Sequence, residues 1–285
     1  MSSLWRTIAL NQCDQLGEGP LWSDRDNALY WADILGQRVN HLDLSDQLVT
    51  SWSMPEPIGW LIEREHLPGF IAGFASGFAE LELDPLVIKP IADPQPSRPA
   101  NRMNDAKADG AGRIFAGTKA EDGEGSGALF RLDCDKRVTE VDNGYHIANG
   151  PAISADGRFL FHTDSALNQI FRLEILADGT LGSRQLFIEF PPEWGSPDGM
   201  TIDADGYLWV AHWGGSRISR FRPDATLDRT IALPASQITS CTFAGPNLDR
   251  MFVTSAADGV DEPYGGHLFE VDPGVKGLPT MRFRG

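Results

Sequence analysis

The sequence predicts an all-β chain: a six-bladed β-propeller with four antiparallel strands per blade, one domain over residues 1–285. Three observations predict it. A phrase running from a polar residue through small residues to an apolar stretch recurs along the chain. Taking Glu18, Ile58, Asn104, Asn149, Asp198 and Thr239 as its markers, the recurrences stand roughly 40 to 49 residues apart, near the period of a four-stranded blade. Between them lie short alternating apolar runs split by Asp, Gly and Asn turns, and no long segment holds a 3.6-residue apolar period free of Gly and Pro.

The first unit, GEGPLWSDRDNALYWADILGQRVNHLDL from Gly17, turns at Asp-Asn, where Asn27 tolerates left-handed backbone angles. EPIGWLIEREHLPGFIAGFASGFAELELD is a weaker second copy. The third, from Asn104, carries the glycine-rich GEGSG as a hairpin; without a following Lys-Ser or Lys-Thr and an opening helix, it is not a phosphate loop. The fourth and fifth, NGPAISADGRFLFHTDSALNQIFRLEI from Asn149 and PDGMTIDADGYLWVAHWGGSRISRFRP from Pro197, have Asp-Gly hairpin turns. DADG resembles the start of a calcium-binding helical loop, but the closing Glu is missing and a strand follows. QITSCTFAGPNLDRMFVTSAADGVDEPYGGHLFEVD is the sixth unit. Two β-sandwiches would also supply many short strands, but they do not explain the period.

A formal charge of -16 and a pI near 4.7, with no basic run, exclude a nucleic acid partner, which needs clustered Lys and Arg against phosphates. MSSLWRTIALNQ lacks the basic start and apolar core of a signal peptide, and no apolar stretch is long enough to span a bilayer; a soluble cytoplasmic protein without a membrane partner, monomeric or weakly homo-oligomeric, is expected. Cys13, Cys134 and Cys241, widely spaced, fit reduced thiols better than a disulfide framework or thiolate zinc site. No GxSxG elbow supports covalent catalysis, and most of the tryptophans alternate with small or polar residues as packing residues do, Trp213 being the exception to expect.

In a propeller the first strand of each blade lines the central channel, so equivalent positions meet at one end of it. Glu18, Asn104, Asn149 and Asp198 therefore converge. In NGP and GEGP the Gly-Pro is expected to turn the chain into the channel at the start of a strand. Carboxylates and amides crowded at one point need a partner, and oxygen-only ligands suit a hard divalent cation whose residual charge polarises a substrate oxygen or water. Each residue alone is also explained as a strand-end cap bonded to backbone amides. Four at equivalent positions favour the ion.

LGEGPLW, RMNDAKAD, FAGTKAE, NGPAIS, HTDS and SPDGMTIDADGYLWVA resemble the characteristic stretches of the regucalcin, gluconolactonase and luciferin-regenerating-enzyme family, also called the senescence-marker-protein family, over nearly the whole length. The resemblance implies a six-bladed propeller, a lactonase that hydrolyses a small sugar lactone to its aldonic acid with one divalent metal ion. Glu18, Asn149 and Asp198 fall where the family places its metal ligands. Arg102 and Asn104 match its substrate-contacting pair, with Asn104 also near the ion, and Glu121 its sugar-hydroxyl contact. Asp198 is the expected proton acceptor from the attacking water. The ion is left open among Ca, Mg, Mn, Zn and Fe. Lys119, His146, His212 and Trp213 match no fixed family pattern; they stand where they shape sugar selection, or are packed or solvated side chains. The alternatives are a hydrolase of non-sugar lactones or organophosphate esters on the same site, or a calcium-binding propeller without catalysis.

Overall fold

The computed structural model describes residues 4–285 apart from residue 121. Its strands form six sheets of four antiparallel strands, the propeller expected from the repeats. Five blades are consecutive meanders. Blade one contains β2 (Gly17–Ser23), β3 (Ala28–Asp33), β4 (Arg38–Asp43) and β5 (Val49–Ser53). Blade two contains β6 (Ile58–Glu63), β7 (Phe70–Phe74), β8 (Gly77–Leu83) and β9 (Leu86–Ala92). Blade three runs β10 (Arg102–Ala108), β11 (Ile114–Lys119), β12 (Gly127–Leu132) and β13 (Val138–Tyr145). Blade four runs β14 (Ala148–Ile153), β15 (Phe159–Asp164), β16 (Gln169–Glu174) and β17 (Gln185–Glu189), and blade five β18 (Ser196–Ile202), β19 (Leu208–Trp213), β20 (Arg217–Phe221) and β21 (Leu227–Ala232).

Blade six is composite. Its own segment yields β22 (Ile238–Ala244), β23 (Arg250–Ser255) and β24 (Phe269–Val271), and the outermost place is taken by β1 (Trp5–Thr7) from the other end of the chain. Trp5 pairs with Val271 and Thr7 with Phe269, so the ring is closed by hydrogen bonds between the first and last strands. Closure this way leaves no blade dependent on loop contacts alone.

Middle strands such as β3, β7 and β12 are buried at every residue, because each blade packs on a neighbour through both faces. Outermost strands such as β5 and β9 have no buried residue, since they lie at the outer edge of each blade. The apolar core is accordingly divided into six wedges, one per blade interface. Trp31 and Trp22 fill the wedge between blades six and one, Trp60 that between two and three, and Trp209 that between five and six, so the tryptophans expected to pack do so. Trp213 is only half-buried.

The last residues cross the far end of the channel as a strap. Lys276 and Gly277 pair with the Asp203 turn, and Phe283, fully buried, enters the wedge between blades two and three. Arg282 pairs with Glu63 and Asp24, and Arg284 with Glu65. Among the described residues no helix is long and apolar enough to cross a membrane.

The inner strands approach too closely for side chains at some positions. A Cβ on Gly59 would lie 2.5 Å from the Asn104 carbonyl oxygen and 3.1 Å from that of Met103. Gly59→Ala is therefore expected to cost about 1–3 kcal/mol in urea denaturation. Gly110→Ala, which meets nothing within 4 Å, should stay within about 0.5 kcal/mol of the parent. Equal stability of the two variants would contradict this packing.

Candidate metal and substrate site at the channel mouth

Each inner strand slips register against its neighbour at the same height. The slips fall between Glu18 and Leu21, Ile58 and Trp60, Met103 and Ala106, Asn149 and Ala152, Pro197 and Met200, and Ile238 and Ser240. Such a bulge inserts unpaired residues, bends the strand and re-aims side chains. The six repeat markers all lie at these bulges. Gly-Pro in GEGP and NGPA thus sits inside the strand, correcting the expectation that it stands at the start of one: β2 begins at Gly17 and β14 at Ala148. Proline's missing N–H falls where the ladder is already interrupted. Gly19 and Gly150 take positive φ of 55 and 69°, and a Cβ there would strike the Gly59 oxygen at 2.8 Å and Met200 Cε at 2.9 Å.

The bulges carry a continuous polar chain across three blades. Arg102 donates to Asn104 Oδ1 at 2.7 Å, and Asn104 Nδ2 donates to the Ala148 carbonyl at 3.0 Å and to Asn149 Oδ1. Asn149 Nδ2 donates to Ser165 Oγ at 2.9 Å, and Ser165 in turn donates to the Pro197 carbonyl at 2.6 Å, one residue before Asp198. Asn149 also lies within reach of the Asp198 carboxyl and favours its ionised form. Glu18 closes the circle from blade one, with Gly19 N–H donating to its Oε2 at 3.0 Å. Glu18, Asn104, Asn149 and Asp198 are all buried.

Burial pushes the Glu18 carboxyl well above its ordinary range, and the negative charges of Asp198 and Asp105 push it further. Asp198 is raised for the same reasons, by burial and then by Asp105, with Arg102 a partial offset. Asp105 itself is raised to about 7 by burial. Its Oδ1 accepts only the adjacent Ala106 N–H, at 2.7 Å. Asp198 Oδ1 is buried with no hydrogen-bond partner.

Three buried carboxyls, two of them raised further by the charge of their neighbours, stand beside an orphaned oxygen and two amides; the set is all oxygen and only partly offset by Arg102, and a hard divalent cation fits it. Among the described residues no three His, Cys, Asp or Glu side chains make a metal cluster by themselves, so an ion held here would need the amides as well. Past Asp105 the channel opens into a cavity of about 260 Å³, lined by Lys107, Ser240 and Thr242 and by residues 278–281 of the strap.

The remaining candidates divide. Lys119 faces Arg102 across the β10–β11 pair and bridges to Ile147 of the next blade, which puts it at the mouth. His146, partly exposed, stands beside it with Nδ1 3.1 Å from Asp164 Oδ2. His212 is not at the mouth surface: fully buried, it stacks on Phe190 at 4.5 Å, donates from Nδ1 to the Trp194 carbonyl at 2.9 Å, and its pKa is lowered to about 4 by burial. It is a packing residue. Glu121 lies outside the described residues. Asp105 was missed by sequence reasoning although it is the last letter of RMND; the signal is that a bulge exposes two consecutive side chains to the channel.

Residues 16–257 match the SMP-30/Gluconolactonase/LRE-like region. The chain is 33% identical to the regucalcin of Xenopus laevis over the full length of both, and 33% identical to the 6-deoxy-6-sulfogluconolactonase of Pseudomonas putida over 97% of each. A solved luciferin-regenerating enzyme superposes with a TM-score of 0.93 at 30% identity, covering 98% of this chain and 99% of the other.

The electrostatics predict a proton balance. Asp105, raised from 3.8 to about 7, holds a proton in the fold that the unfolded chain has released; this contribution to stability is full below about pH 4 and is lost as pH rises through about 7. A divalent cation bound at this cluster favours the ionised forms and should release protons near pH 7. Calorimetric titration of chelator-treated protein in two buffers of different ionisation enthalpy measures it; identical heats in both buffers would count against the cluster as the cation site.

Proposed function

Because the chain belongs to the SMP-30/gluconolactonase/LRE-like family, we propose that it is a lactonase that hydrolyses a sugar lactone to the aldonic acid, with one divalent cation held by Glu18, Asn149 and Asp198. The single observation that carries the reading is the converging set itself: two raised, buried carboxyls with one oxygen lacking any partner, tied through amides to a guanidinium at an open channel end. The relative named as a lactonase supports the substrate class. When bound, the cation supplies positive charge that polarises the lactone carbonyl as negative charge develops on its oxygen.

The chain's own groups supply the rest. Arg102, partly exposed and held by Asn104, presents its guanidinium to the substrate from the rim and fixes its orientation. Asn104, with Nδ2 committed to Ala148 and Asn149, keeps both amides in one rotamer, which holds the site in shape before substrate arrives. Asp198 takes the proton from the attacking water: its burial makes it a stronger base than an ordinary carboxylate, and Oδ1 has no competing donor. Water oxygen bonds to the carbonyl carbon, the ring C–O bond breaks, and the ring oxygen leaves as a hydroxyl carrying the proton. Glu121 is proposed as a sugar-hydroxyl contact on the family pattern.

Asp198→Asn keeps size and removes the base, and should lower kcat on a responsive lactone by about 10²–10⁴ with the circular dichroism of the parent. A panel of sugar lactones with a pH indicator reads it, since ring opening releases acid. Full turnover in the variant would remove Asp198 from the chemistry; a scaffold protein would show no turnover in either form. Arg102→Met should chiefly raise KM, about tenfold or more, in the same assay.

A further inference from the structure

Ser165 ties the bulge of blade four to that of blade five through one buried hydroxyl, and the hydrogen bonds that run through it have a single direction. At one end the Arg102 guanidinium can only donate, so Oδ1 is the Asn104 atom it meets, at 2.7 Å, and Nδ2 is the atom turned to Asn149. At the other end the Pro197 carbonyl can only accept. The Ser165 proton is therefore committed there, at 2.6 Å, and Oγ is left to accept from Asn149 Nδ2 at 2.9 Å. Both ends require the same amide orientation, with the Asn149 nitrogen toward Ser165 and its oxygen toward Asn104. One lone pair of Asn149 Oδ1 remains after Asn104 has donated to the other. A rival acceptor for the nitrogen stands nearby, since Asn149 is also within reach of the buried Asp198 carboxyl.

The backbone does not ask for a hydroxyl at this place. Ser165 directly follows β15, and its N–H donates at 3.1 Å to the carbonyl of Ile147, two residues before Asn149. Ile34 donates to Leu16 at 2.9 Å and Ala256 to Gln237 at 3.0 Å in the same way, each carbonyl standing two residues before Glu18 or Thr239. This bond holds the start of the inner strand in all three blades. The side chain in blades one and six is apolar. Among the three, the hydroxyl belongs to the blade whose marker is an amide, the one group with two unlike ends to be told apart.

We propose that Ser165 is a positioning residue for the cation site: its hydroxyl holds the Asn149 nitrogen and thereby keeps Asn149 Oδ1 as the atom offered to a divalent cation. This rests on the reading of Glu18, Asn149 and Asp198 as the cation ligands. Ser165 does not touch the ion, and its effect passes through the amide. Without the hydroxyl the nitrogen is left with the Asp198 carboxyl as its acceptor, and a nitrogen turned onto that carboxyl competes with the cation for its oxygen.

Calorimetric titration of the chelator-treated full chain with Ca²⁺, Mg²⁺, Mn²⁺ and Zn²⁺ in turn identifies the ion that the parent binds most tightly, and that ion is the probe. Ser165→Ala should weaken its binding by about 10- to 100-fold, the usual effect of removing a group that orients a ligand. Asn149→Asp provides the comparison, because a carboxylate has no nitrogen and no wrong way round. In that background Ser165→Ala should change the affinity by no more than about twofold. An equal loss in both backgrounds would make Ser165 a prop between blades, and an undiminished affinity of Ser165→Ala alone would give it no part in the site; either overturns the assignment. An Asn149→Asp protein that binds no ion where the parent does also overturns it, because the oxygen would then not be the part of the amide that the site uses. If the parent binds none of the four ions, the cation reading fails and this inference fails with it. Thermal melts of the ion-free proteins register any general loss of fold, which both backgrounds share and the comparison between them cancels.

Discussion

The bulge repeated in every inner strand is the constraint on which the site depends. A regular strand would alternate its side chains between the two neighbouring blades, and none would point along the axis. An extra residue at one height breaks that alternation and, in blades one, three, four and five, turns a polar side chain toward the channel. The same device works with different residues: Gly19 and Gly150 supply positive φ after Glu18 and Asn149, whereas in blades three and five the bulge contains Asn104–Asp105 and Asp198. Where blades two and six offer Gly59 and Thr239, no carboxyl is added; Thr239 instead donates to the Gly17 carbonyl at 2.5 Å and ties the last blade to the first. Three carboxyls meet from blades one, three and five, and blades two, four and six contribute none.

That arrangement is electrostatically costly, and the fold bears the cost elsewhere. Six apolar wedges, each spanning two blades, hold the inner strands in place whatever the carboxyls do, and the β1–β24 pairing prevents the ring from opening to relieve their repulsion. The strap adds a second restraint from below, with buried Phe283 and the ion pairs of Arg282 and Arg284. A buried oxygen without a partner, such as Asp198 Oδ1, persists only when the surroundings are over-determined in this way. The energetic defect and the chemical capacity of the site are one feature.

Much of this was legible in the sequence because it repeats. Period, turn chemistry and the polar marker of each unit identified the blades and the residues at the mouth, since equivalence in a propeller converts sequence spacing into position. What did not repeat was not legible. The sixth unit has only three strands of its own, and nothing in WRT announces that it completes a sheet with residues beyond 268. Asp105 was hidden because alternation predicts that it and Asn104 point to opposite sides, and only the register slip between Met103 and Ala106 sends both toward the axis. His212 looked like a rim residue because it ends a strand whose neighbours are exposed, yet its aromatic stacking on Phe190 buries it.

The division between what repeats and what does not also orders the function. Residues at the bulges are fixed by the geometry of closure, so altering them disturbs the channel as well as the chemistry. Residues one step above, at and just beyond the strand ends, answer to no such constraint: Asp33 and Asp164 hold equivalent strand starts, and beside them stand Arg38 in one blade and His146 in the other. Side chains there can change without moving a bulge, because the backbone beneath them is pinned by a carboxylate that stays. A scaffold of this kind holds its buried carboxyls in the ladder and leaves the side chains above them free to vary.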